Sequence, residues 1–315
     1  MGNDKATREA YGEFLVEYGA ERKDLIVMNA DLSGSNKTDG FEKAYPERFI
    51  ECGISEQDMM AEATGIAHSG HVVAASSFTM FAAGRAFEVI RNSIAHTNAN
   101  VKVCATHAGL TVGEDGATHQ TVEDLAIMRA ITNMTVINPA DANSAKVLLK
   151  QAFDMNGPVY ARLSRSGMPE VYDVETADCL ELGKGRVIRE GNDVAIIATG
   201  LMVAAAREAA ADLIAEGIDA RVIDIHTIKP IDKDIIIEAA KDCGAIVTAE
   251  EHSVIGGLGA AVAEVVTQNC PVPMAFVGIQ DTFGESGKPA ELLEKYGLTA
   301  KDIAAAVRKI KDSIF

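Results

Sequence analysis

The stretch VKVCATHAGLTVGEDGATHQ, residues 101–120, places a polar, glycine-rich segment directly after an apolar run. The apolar part predicts a buried strand, and the polar part contains two histidines, His107 and His119, and two acids, Glu114 and Asp115. A packed core has no use for that mixture, whereas imidazoles and carboxylates bind hydroxyl-rich substrates and transfer protons. The glycines let the backbone turn sharply and approach a ligand closely. The stretch therefore predicts one wall of an active site at the end of a strand.

Outward from this strand, short β-rich runs alternate with longer amphipathic stretches, which is the pattern of parallel strands joined by helices. Candidate strands are DLIVMNA, HVVAAS, VKVCAT, MTVIN and PVYARLS in the first half and VAIIAT, ARVIDI, AIVTAE and PMAFVG in the second. Helices are expected near residues 6–19, 56–69, 81–96, 121–131 and 141–155. The predicted fold class is α/β, with two domains that each contain a mostly parallel sheet flanked by helices.

The stretch SRSGMPEVYDVETADCLELGKG separates the two halves, because its proline, glycines and acids follow neither a helical nor a strand period. We therefore predict a first domain at residues 1–165, a linker at 166–185 and a second domain at 186–315. The halves share their alternation of elements but no sequence repeat. In open parallel sheets, ligands bind outside the carboxyl ends of the strands, and the polar motifs of this chain follow its apolar runs.

The overall composition limits the kinds of partner. A net charge of −17 in 315 residues argues against nucleic acid or an anionic membrane as the main partner. The five cysteines are scattered without C-x-x-C spacing, which is typical of reduced thiols. The N-terminus is charged from Asp4 onward, unlike a signal peptide, and no apolar run reaches the roughly 18 residues of a membrane span. We expect a cytoplasmic protein.

The stretch GISEQDMMAEATGIAHSG, residues 53–70, indicates the start of a helix. Ser55 is placed to cap this helix with Asp58 as its capping-box partner, and Glu56 lies in the first turn. Two interpretations of Glu56 stay open at this point. It is either an acid favoured by the positive end of the helix or a functional carboxyl group.

The stretch SSFTMFAAGRAFEVIRN contains Phe78 and Phe81 in a chain with only 5% aromatic residues. Two phenylalanines three residues apart fit the core side of a helix, but these follow a strand and precede a helix, the place of a ligand-facing turn. Arg85 and Arg91, with Glu88 between them, have the spacing of ordinary charges on a helix surface.

Several motifs together make the chain resemble the transketolase family of thiamine diphosphate enzymes. In the family's order, the first domain contains KATR, ADLSGSN, GISEQ, SFTMF, THAGLTVGEDGATHQ and LSR. Farther along, EEHSVIGGLG and FGESGKPAELLEKYGLTAKDI are similar to the family's C-terminal domain. The resemblance covers nearly the whole chain but only the pyrimidine-binding and C-terminal domains of the family. It implies thiamine diphosphate and Mg²⁺ as cofactors.

The resemblance implies that this chain contacts the aminopyrimidine ring of the cofactor. Glu56 matches the glutamate that hydrogen-bonds a ring nitrogen and drives the ring to its imino tautomer. Phe81 matches the aromatic residue that stacks on the pyrimidine, and Phe78 lies beside it. Asp31 matches an acid near the cofactor.

The resemblance also implies a sugar-phosphate site, since bidentate guanidinium groups suit phosphate. The matching residues are His107, Asp115 and His119 for the sugar's hydroxyls and carbonyl, and Arg8, Ser35 and Arg165 for the phosphate. Both histidines are expected to take part in catalysis. Without the resemblance, the two arginines fit ordinary surface charge, because one lies in a predicted helix and the other at a strand end.

This sequence departs from the family's pattern in three places. Ala108–Leu110 stands where full-length members have Asp-Ser-Ile, and Gly84 stands where an aromatic residue often follows the two phenylalanines. Members bind the diphosphate through Mg²⁺ with a G-D-G motif and a downstream Asn, but residues 114–116 read EDG and do not directly follow a strand, although Asn143 lies downstream. We therefore expect no metal ligands here, and place Mg²⁺ and the diphosphate on a partner subunit.

The leading hypothesis is the C-terminal subunit of a split transketolase in the pentose phosphate pathway. Such a transferase moves a two-carbon ketol unit from a ketose phosphate to an aldose phosphate. It would be active only with a separate N-terminal subunit that carries the diphosphate-binding domain. Self-association through the pyrimidine-binding and C-terminal domains would give a heterotetramer.

Three other functions stay open. They are an enzyme like 1-deoxyxylulose 5-phosphate synthase, the beta subunit of a 2-oxoacid dehydrogenase, and an acidic α/β regulatory module without catalysis. The second domain shows no cluster of chemistry-bearing residues, and we interpret His252, after Glu250 and Glu251, as part of an exposed polar turn.

Overall fold

The computed structural model describes residues 4–314, which form two sheets flanked by helices. The strands are β1 (Leu25–Asn29), β2 (Phe49–Glu51), β3 (Val72–Phe78), β4 (Val101–Thr106), β5 (Thr135–Ile137), β6 (Val159–Leu163), β7 (Arg186–Arg189), β8 (Val194–Ala198), β9 (Ala220–Asp224), β10 (Thr227–Lys229), β11 (Ile246–Ser253) and β12 (Met274–Ile279). The α-helices are α1 (Thr7–Glu21), α2 (Ser33–Asn36), α3 (Asp39–Ala44), α4 (Glu56–His68), α5 (Phe87–Val89), α6 (Asp124–Ala130), α7 (Ala142–Asp154), α8 (Val174–Ala177), α9 (Met202–Ile214), α10 (Lys233–Cys243), α11 (Leu258–Asn269), α12 (Pro289–Lys295) and α13 (Ala300–Ile314).

The first sheet has seven strands in the order β10-β5-β6-β4-β3-β1-β2. All neighbours are parallel except β10 and β5, which run antiparallel. The central strands β3, β4 and β6 are buried along their whole length, as expected for a sheet covered by helices on both faces. The second sheet has five strands in the order β12-β11-β8-β9-β7, and only its edge strand β7 is antiparallel. The predicted α/β class with two mostly parallel sheets is confirmed.

Every strand predicted from the sequence is present, and three short strands were not predicted. They are β2, β7 and β10, of three, four and three residues. All three lie at sheet edges, where a strand needs no continuous apolar run. β10 belongs to the second half of the chain but pairs with β5, so it extends the sheet of the first domain.

The predicted helix at 81–96 has an irregular backbone. It consists of π-helical turns at Met80–Arg85 and Ile90–Ala95 on either side of α5. Such widened turns are frequent at functional sites. Among the residues that the structure describes, no helix has the length and apolar character that a membrane crossing requires.

The carboxyl ends of four neighbouring strands, β1, β3, β4 and β6, bring the predicted site residues to one edge of the first sheet. Asp31 follows β1, Phe78 ends β3, His107 follows β4, and Arg165 follows β6. Parallel strands with helical crossovers end at the same edge, so side chains distant in sequence meet there.

The interpretation of residues 250–252 as an exposed polar turn is wrong. They form part of β11, with Glu250, Glu251 and His252 exposed by only 1%, 4% and 0%. Glu250 is satisfied at the start of α11, where its carboxylate accepts hydrogen bonds from the backbone N–H groups of Leu258 (2.7 Å) and Gly259 (2.8 Å). A buried carboxylate is tolerable at a helix N-terminus because free N–H groups and the helix dipole stabilise its charge.

Candidate active site

His107 is held in a left-handed backbone conformation, with φ of 60°, directly after β4. Its Nε2 lies 3.1 Å from Nη1 of Arg8, and its Nδ1 lies 2.8 Å from Oγ1 of Thr106. Arginine can only donate, so Nε2 accepts and Nδ1 carries the hydrogen. Thr106 accepts that hydrogen and donates its own to Oδ1 of Asn36 at 2.6 Å. The chain of hydrogen bonds assigns one neutral tautomer to His107.

The charge state of His107 follows from its surroundings. Burial, together with the nearby guanidinium groups of Arg8 and Arg165, lowers its pKa to about 3. The imidazole ring also stacks on Phe78, with ring centroids 3.8 Å apart. The side chain is therefore a neutral, oriented hydrogen-bonding group rather than a cation.

Arg8 projects from α1 toward the same edge of the sheet. Its Nη1 donates to the backbone oxygen of Ser35 at 2.9 Å, while its buried Nε has no hydrogen-bond partner among residues 4–314. Burial is the main cause that lowers the pKa of Arg8, and Arg165 contributes as a like charge. Arg165 in turn donates from Nη1 to the backbone oxygen of Val112 and lies 3.4 Å from Oε2 of Glu114.

A polar cavity of about 530 Å³ lies between these groups. Its lining consists of Arg8, Gly34, Ser35, Lys37, Phe78, His107, Asp115, His119 and Arg165. The structure thus brings together seven of the predicted site residues, and it adds Gly34 and the cationic side chain of Lys37. Lys37 directly follows the motif ADLSGSN in the sequence. A positive charge next to that motif could have predicted that Lys37 lies at the site.

Phe78 and Phe81 have different environments. Their rings stack with centroids 5.9 Å apart, and Phe78 is 8% exposed. Phe81 is only partly buried and meets the ring of His119 edge-on, at 5.4 Å between centroids. Phe78 is therefore both a core residue and a support for His107, whereas Phe81 presents an aromatic surface at the site.

Glu56 is the first residue of α4 and is 2% exposed. Its Oε2 lies 3.2 Å from Nη1 of Arg85, whose side chain is 55% exposed, so Arg85 is a surface charge as predicted but is also paired with a buried carboxylate. The predicted cap is wrong, because the Ser55 hydroxyl donates to the backbone oxygen of Cys52 at 2.7 Å instead of capping α4. Arg85 belongs to the same π-helical turn as Phe81, which places this carboxylate beside the turn that carries the aromatic ring.

Asp31 lies apart from the cavity lining. It is exposed, has a positive φ of 57°, and its backbone N–H donates to Oε1 of Glu51 at 2.7 Å. Asn143, downstream of the EDG segment, donates from Nδ2 to the backbone oxygen of Tyr172 at 2.8 Å. Within the part of the chain that the structure describes, no group of three or more His, Cys, Asp or Glu residues could hold a metal ion.

Two glycines of the segment after β4, Gly109 and Gly116, lie against side chains of the second half of the chain. A Cβ at Gly109 would overlap the carboxyl group of Glu251, and a Cβ at Gly116 would lie 2.5 Å from Oγ of Ser286. Glu251 and Ser286 both belong to the half of the chain that forms the second sheet. The backbone at these two glycines therefore approaches the protein's own second domain closely.

Two family models match the chain. Residues 3–170 match "Transketolase, pyrimidine binding domain", and residues 183–303 match "Transketolase, C-terminal domain". The chain is 48% identical to a putative transketolase C-terminal section from Methanocaldococcus jannaschii, over 96% of this chain and 95% of that protein. It is 41% identical to a 6-deoxy-6-sulfo-D-fructose transketolase subunit from a Clostridium species, over 97% and 94%. A solved structure described as a split gene transketolase, inactive beta4 tetramer, superimposes with a TM-score of 0.91 at 54% identity, covering 98% of both chains.

We predict that the His107 imidazole stays neutral from about pH 5 to about pH 8, a range in which an unperturbed histidine titrates. Burial and two neighbouring guanidinium groups disfavour its protonation and lower its pKa to about 3. Nitrogen-15 NMR of the imidazole rings in the purified chain would measure this, with His107→Gln to assign the resonance. A midpoint near the ordinary value of 6.5 would contradict the assigned hydrogen-bond chain.

The lowered pKa of His107 makes the free energy of unfolding depend on pH. Because the native pKa lies below the unfolded value, the unfolded chain binds a proton that native His107 does not. The free energy of unfolding therefore falls as the pH drops below about 6.5 and continues to fall toward about 3. Urea unfolding at several pH values should show a smaller acid-side loss for His107→Gln than for the wild-type chain.

Proposed function

The chain belongs to the transketolase family, and we propose that it is the C-terminal subunit of a two-subunit transketolase. The proposal is carried by a cavity that gathers two arginines, a lysine and two histidines in a chain of net charge −17. The three cations among them, Arg8, Lys37 and Arg165, suit a phosphorylated sugar. The relatives of matching length, described as a C-terminal section and as a subunit, support a division of the enzyme between two chains.

In the complete enzyme, a separate N-terminal subunit would bind the diphosphate and Mg²⁺, and the active site would lie between chains. We expect two copies of each subunit, a heterotetramer, joined through the pyrimidine-binding and C-terminal domains of this chain. We further propose that it works in the cytoplasm, in the pentose phosphate pathway. The tetramer described for the similar solved structure supports self-association of such subunits.

The residues around Glu56 fit the aminopyrimidine ring of thiamine diphosphate. A buried carboxylate and the partly exposed ring of Phe81 offer a hydrogen-bonding edge and a stacking face, with Phe78 behind them. We propose that Glu56 hydrogen-bonds a ring nitrogen, that Phe81 stacks on the ring, and that Asp31 lies near the cofactor. When bound, thiamine diphosphate supplies a nucleophilic carbon that accepts the ketol unit.

The cavity residues fit the substrate's two ends. Arg8, Ser35 and Arg165 would bind the phosphate, and the buried Nε of Arg8 has a free donor for it beyond the present contacts of Nη1. The sugar's hydroxyls and carbonyl would contact His107, His119 and Asp115. If the phosphate draws Arg8 away from His107, the neutral Nε2 is free to accept a hydrogen bond from a sugar hydroxyl.

Mixing this chain with its partner subunit, thiamine diphosphate and Mg²⁺ tests the reaction directly. We expect transfer of a ketol unit from xylulose 5-phosphate to ribose 5-phosphate, and no turnover by either chain alone. Turnover by this chain alone would overturn the two-subunit proposal. Activity with pyruvate and a lipoyl acceptor would indicate a 2-oxoacid dehydrogenase, and condensation of pyruvate with glyceraldehyde 3-phosphate would indicate a 1-deoxyxylulose 5-phosphate synthase.

Glu56→Gln should lower the turnover of the assembled enzyme by at least about 100-fold, as expected on losing a general acid–base group. The amide keeps the size of the side chain but cannot exchange a proton with the pyrimidine. Glu62→Gln, an exposed position on the same helix, is the matched control and should be near normal. Near-normal turnover of Glu56→Gln would remove this carboxyl group from the mechanism.

Arg165→Ala should raise KM for a phosphorylated ketose by at least about tenfold, through loss of a charge-assisted contact. KM for an unphosphorylated ketose such as erythrulose, and the affinity for thiamine diphosphate, should change far less. Arg189→Ala, on the edge strand β7 where the half-buried Arg189 pairs with Asp219, serves as the control. Equal losses for phosphorylated and unphosphorylated ketoses would mean that Arg165 does not bind the phosphate.

A further inference from the structure

The segment between β4 and α6, which we call the site loop (residues 107–120), is held from both domains: Arg165 and Ser166 donate to its backbone from the first domain, and further contacts come from the C-terminal domain. Its turn at Leu110–Asp115 packs against α12 of that domain. Gln120 of the loop, 3% exposed, donates from Nε2 to the backbone oxygen of Glu285 at 2.9 Å and to that of Gly113 at 3.1 Å. Gly116 leaves just enough room for Ser286. The C-terminal domain therefore contributes directly to the conformation of the loop.

Glu251 makes the most direct of these contacts. Its Oε1 accepts a hydrogen bond from the backbone N–H of Thr111 at 2.7 Å, and Gly109 gives its carboxyl group room to approach the loop. The next residue, Val112, uses its backbone oxygen to accept the hydrogen bond from Arg165. A carboxylate of the C-terminal domain is thus linked, through two consecutive loop residues, to a cation that lines the cavity.

The neighbouring carboxylate has a different contact. Glu250 accepts its hydrogen bonds from Leu258 and Gly259, at the start of α11 within its own domain. Consecutive side chains of a strand point to opposite faces, so Glu250 faces its own domain and Glu251 faces the site loop. Both are nearly completely buried. They form a natural pair for comparison.

We propose that Glu251 is a positioning residue for ketol transfer, through which the C-terminal domain fixes the site loop so that Asp115 and Arg165 face the substrate cavity. The inference rests on the substrate site proposed above. It gives the C-terminal domain a part in substrate binding, although that domain supplies none of the nine residues that line the cavity.

Nη1 of the buried Arg162 lies 4.0 Å from Oε2 of Glu251, so Glu251 could act simply by neutralising that charge. Two substitutions of Glu251 distinguish this role from positioning of the site loop. Burial raises the pKa of Glu251 to about 7, so the comparison is made above that pH. Glu251→Asp keeps an ionisable carboxyl group but shortens the side chain by roughly 1.5 Å, so it no longer reaches Thr111. Glu251→Gln loses the charge but keeps an oxygen at full reach. Positioning predicts that the aspartate variant is the more defective, and charge neutralisation predicts the reverse order. Glu250→Asp is the matched control for shortening a buried glutamate.

Amide hydrogen exchange of residues 111–116 in the full-length chain is the first measurement. We expect at least about tenfold faster exchange at Thr111 in Glu251→Asp, and less than about threefold in Glu251→Gln and Glu250→Asp. In the enzyme assembled with its partner subunit, KM for xylulose 5-phosphate should rise at least about fivefold in Glu251→Asp alone, with kcat changed less than about twofold.

Wild-type exchange in Glu251→Asp, or a larger defect in Glu251→Gln, would overturn the positioning role. Faster exchange with an unchanged KM would also overturn it, because the loop would then not govern substrate binding. Failure of the proposed function looks different. In that case the wild-type assembly itself would not turn over sugar phosphates, while the exchange measurements would still show whether Glu251 anchors the loop.

Discussion

The arrangement of the two domains depends on the hydrogen bonds that the buried guanidinium group of Arg162 makes to both of them. Arg162 is 5% exposed, and it donates from Nε to Oδ2 of Asp124 at 2.8 Å and from Nη2 to the backbone oxygen of Glu251 at 2.9 Å. Tyr160 donates to the same Asp124 oxygen at 2.9 Å. A buried charge without partners is strongly destabilising, so β6, α6 and β11 must keep their relative positions for the chain to fold. Arg165 lies three residues beyond Arg162, and this fixed junction sets its approach to the cavity.

Most of the architecture could be predicted from the sequence because burial on both faces leaves an apolar run in each central strand. VAIIA in β8 and VKVCA in β4 are recognisable without any tertiary information. The three strands that escaped prediction are short edge strands whose existence depends on a partner. β10 is the clearest case, since three residues, Thr227–Lys229, become a strand only when β5 of the other domain lies beside them.

The site was predictable to the extent that polar residues follow apolar strands. The residues after β4 and β6 do meet in one cavity, as the sequence indicated. Its supporting contacts were not predictable, because they join residues far apart in the chain. The position of Arg85 in a predicted helix did not indicate its contact with Glu56. Likewise, the adjacent residues Glu250 and Glu251 gave no indication in the sequence that their side chains contact different domains.

The proposed phosphate binding and the neutral state of His107 depend on the same arrangement of charges. Arg8 and Arg165 repel each other, which contributes to the lowered pKa of Arg8, and both lower the pKa of His107. Glu114 offsets little of this repulsion, since its side chain is 64% exposed and a solvated ion pair is weak. An anion in the cavity would attract both guanidinium groups and offset their mutual repulsion, which supports the proposed phosphate site. Because such an anion would tend to raise the pKa of His107 again, the imidazole stays neutral only if burial, the largest cause of its shift, dominates over the bound charge.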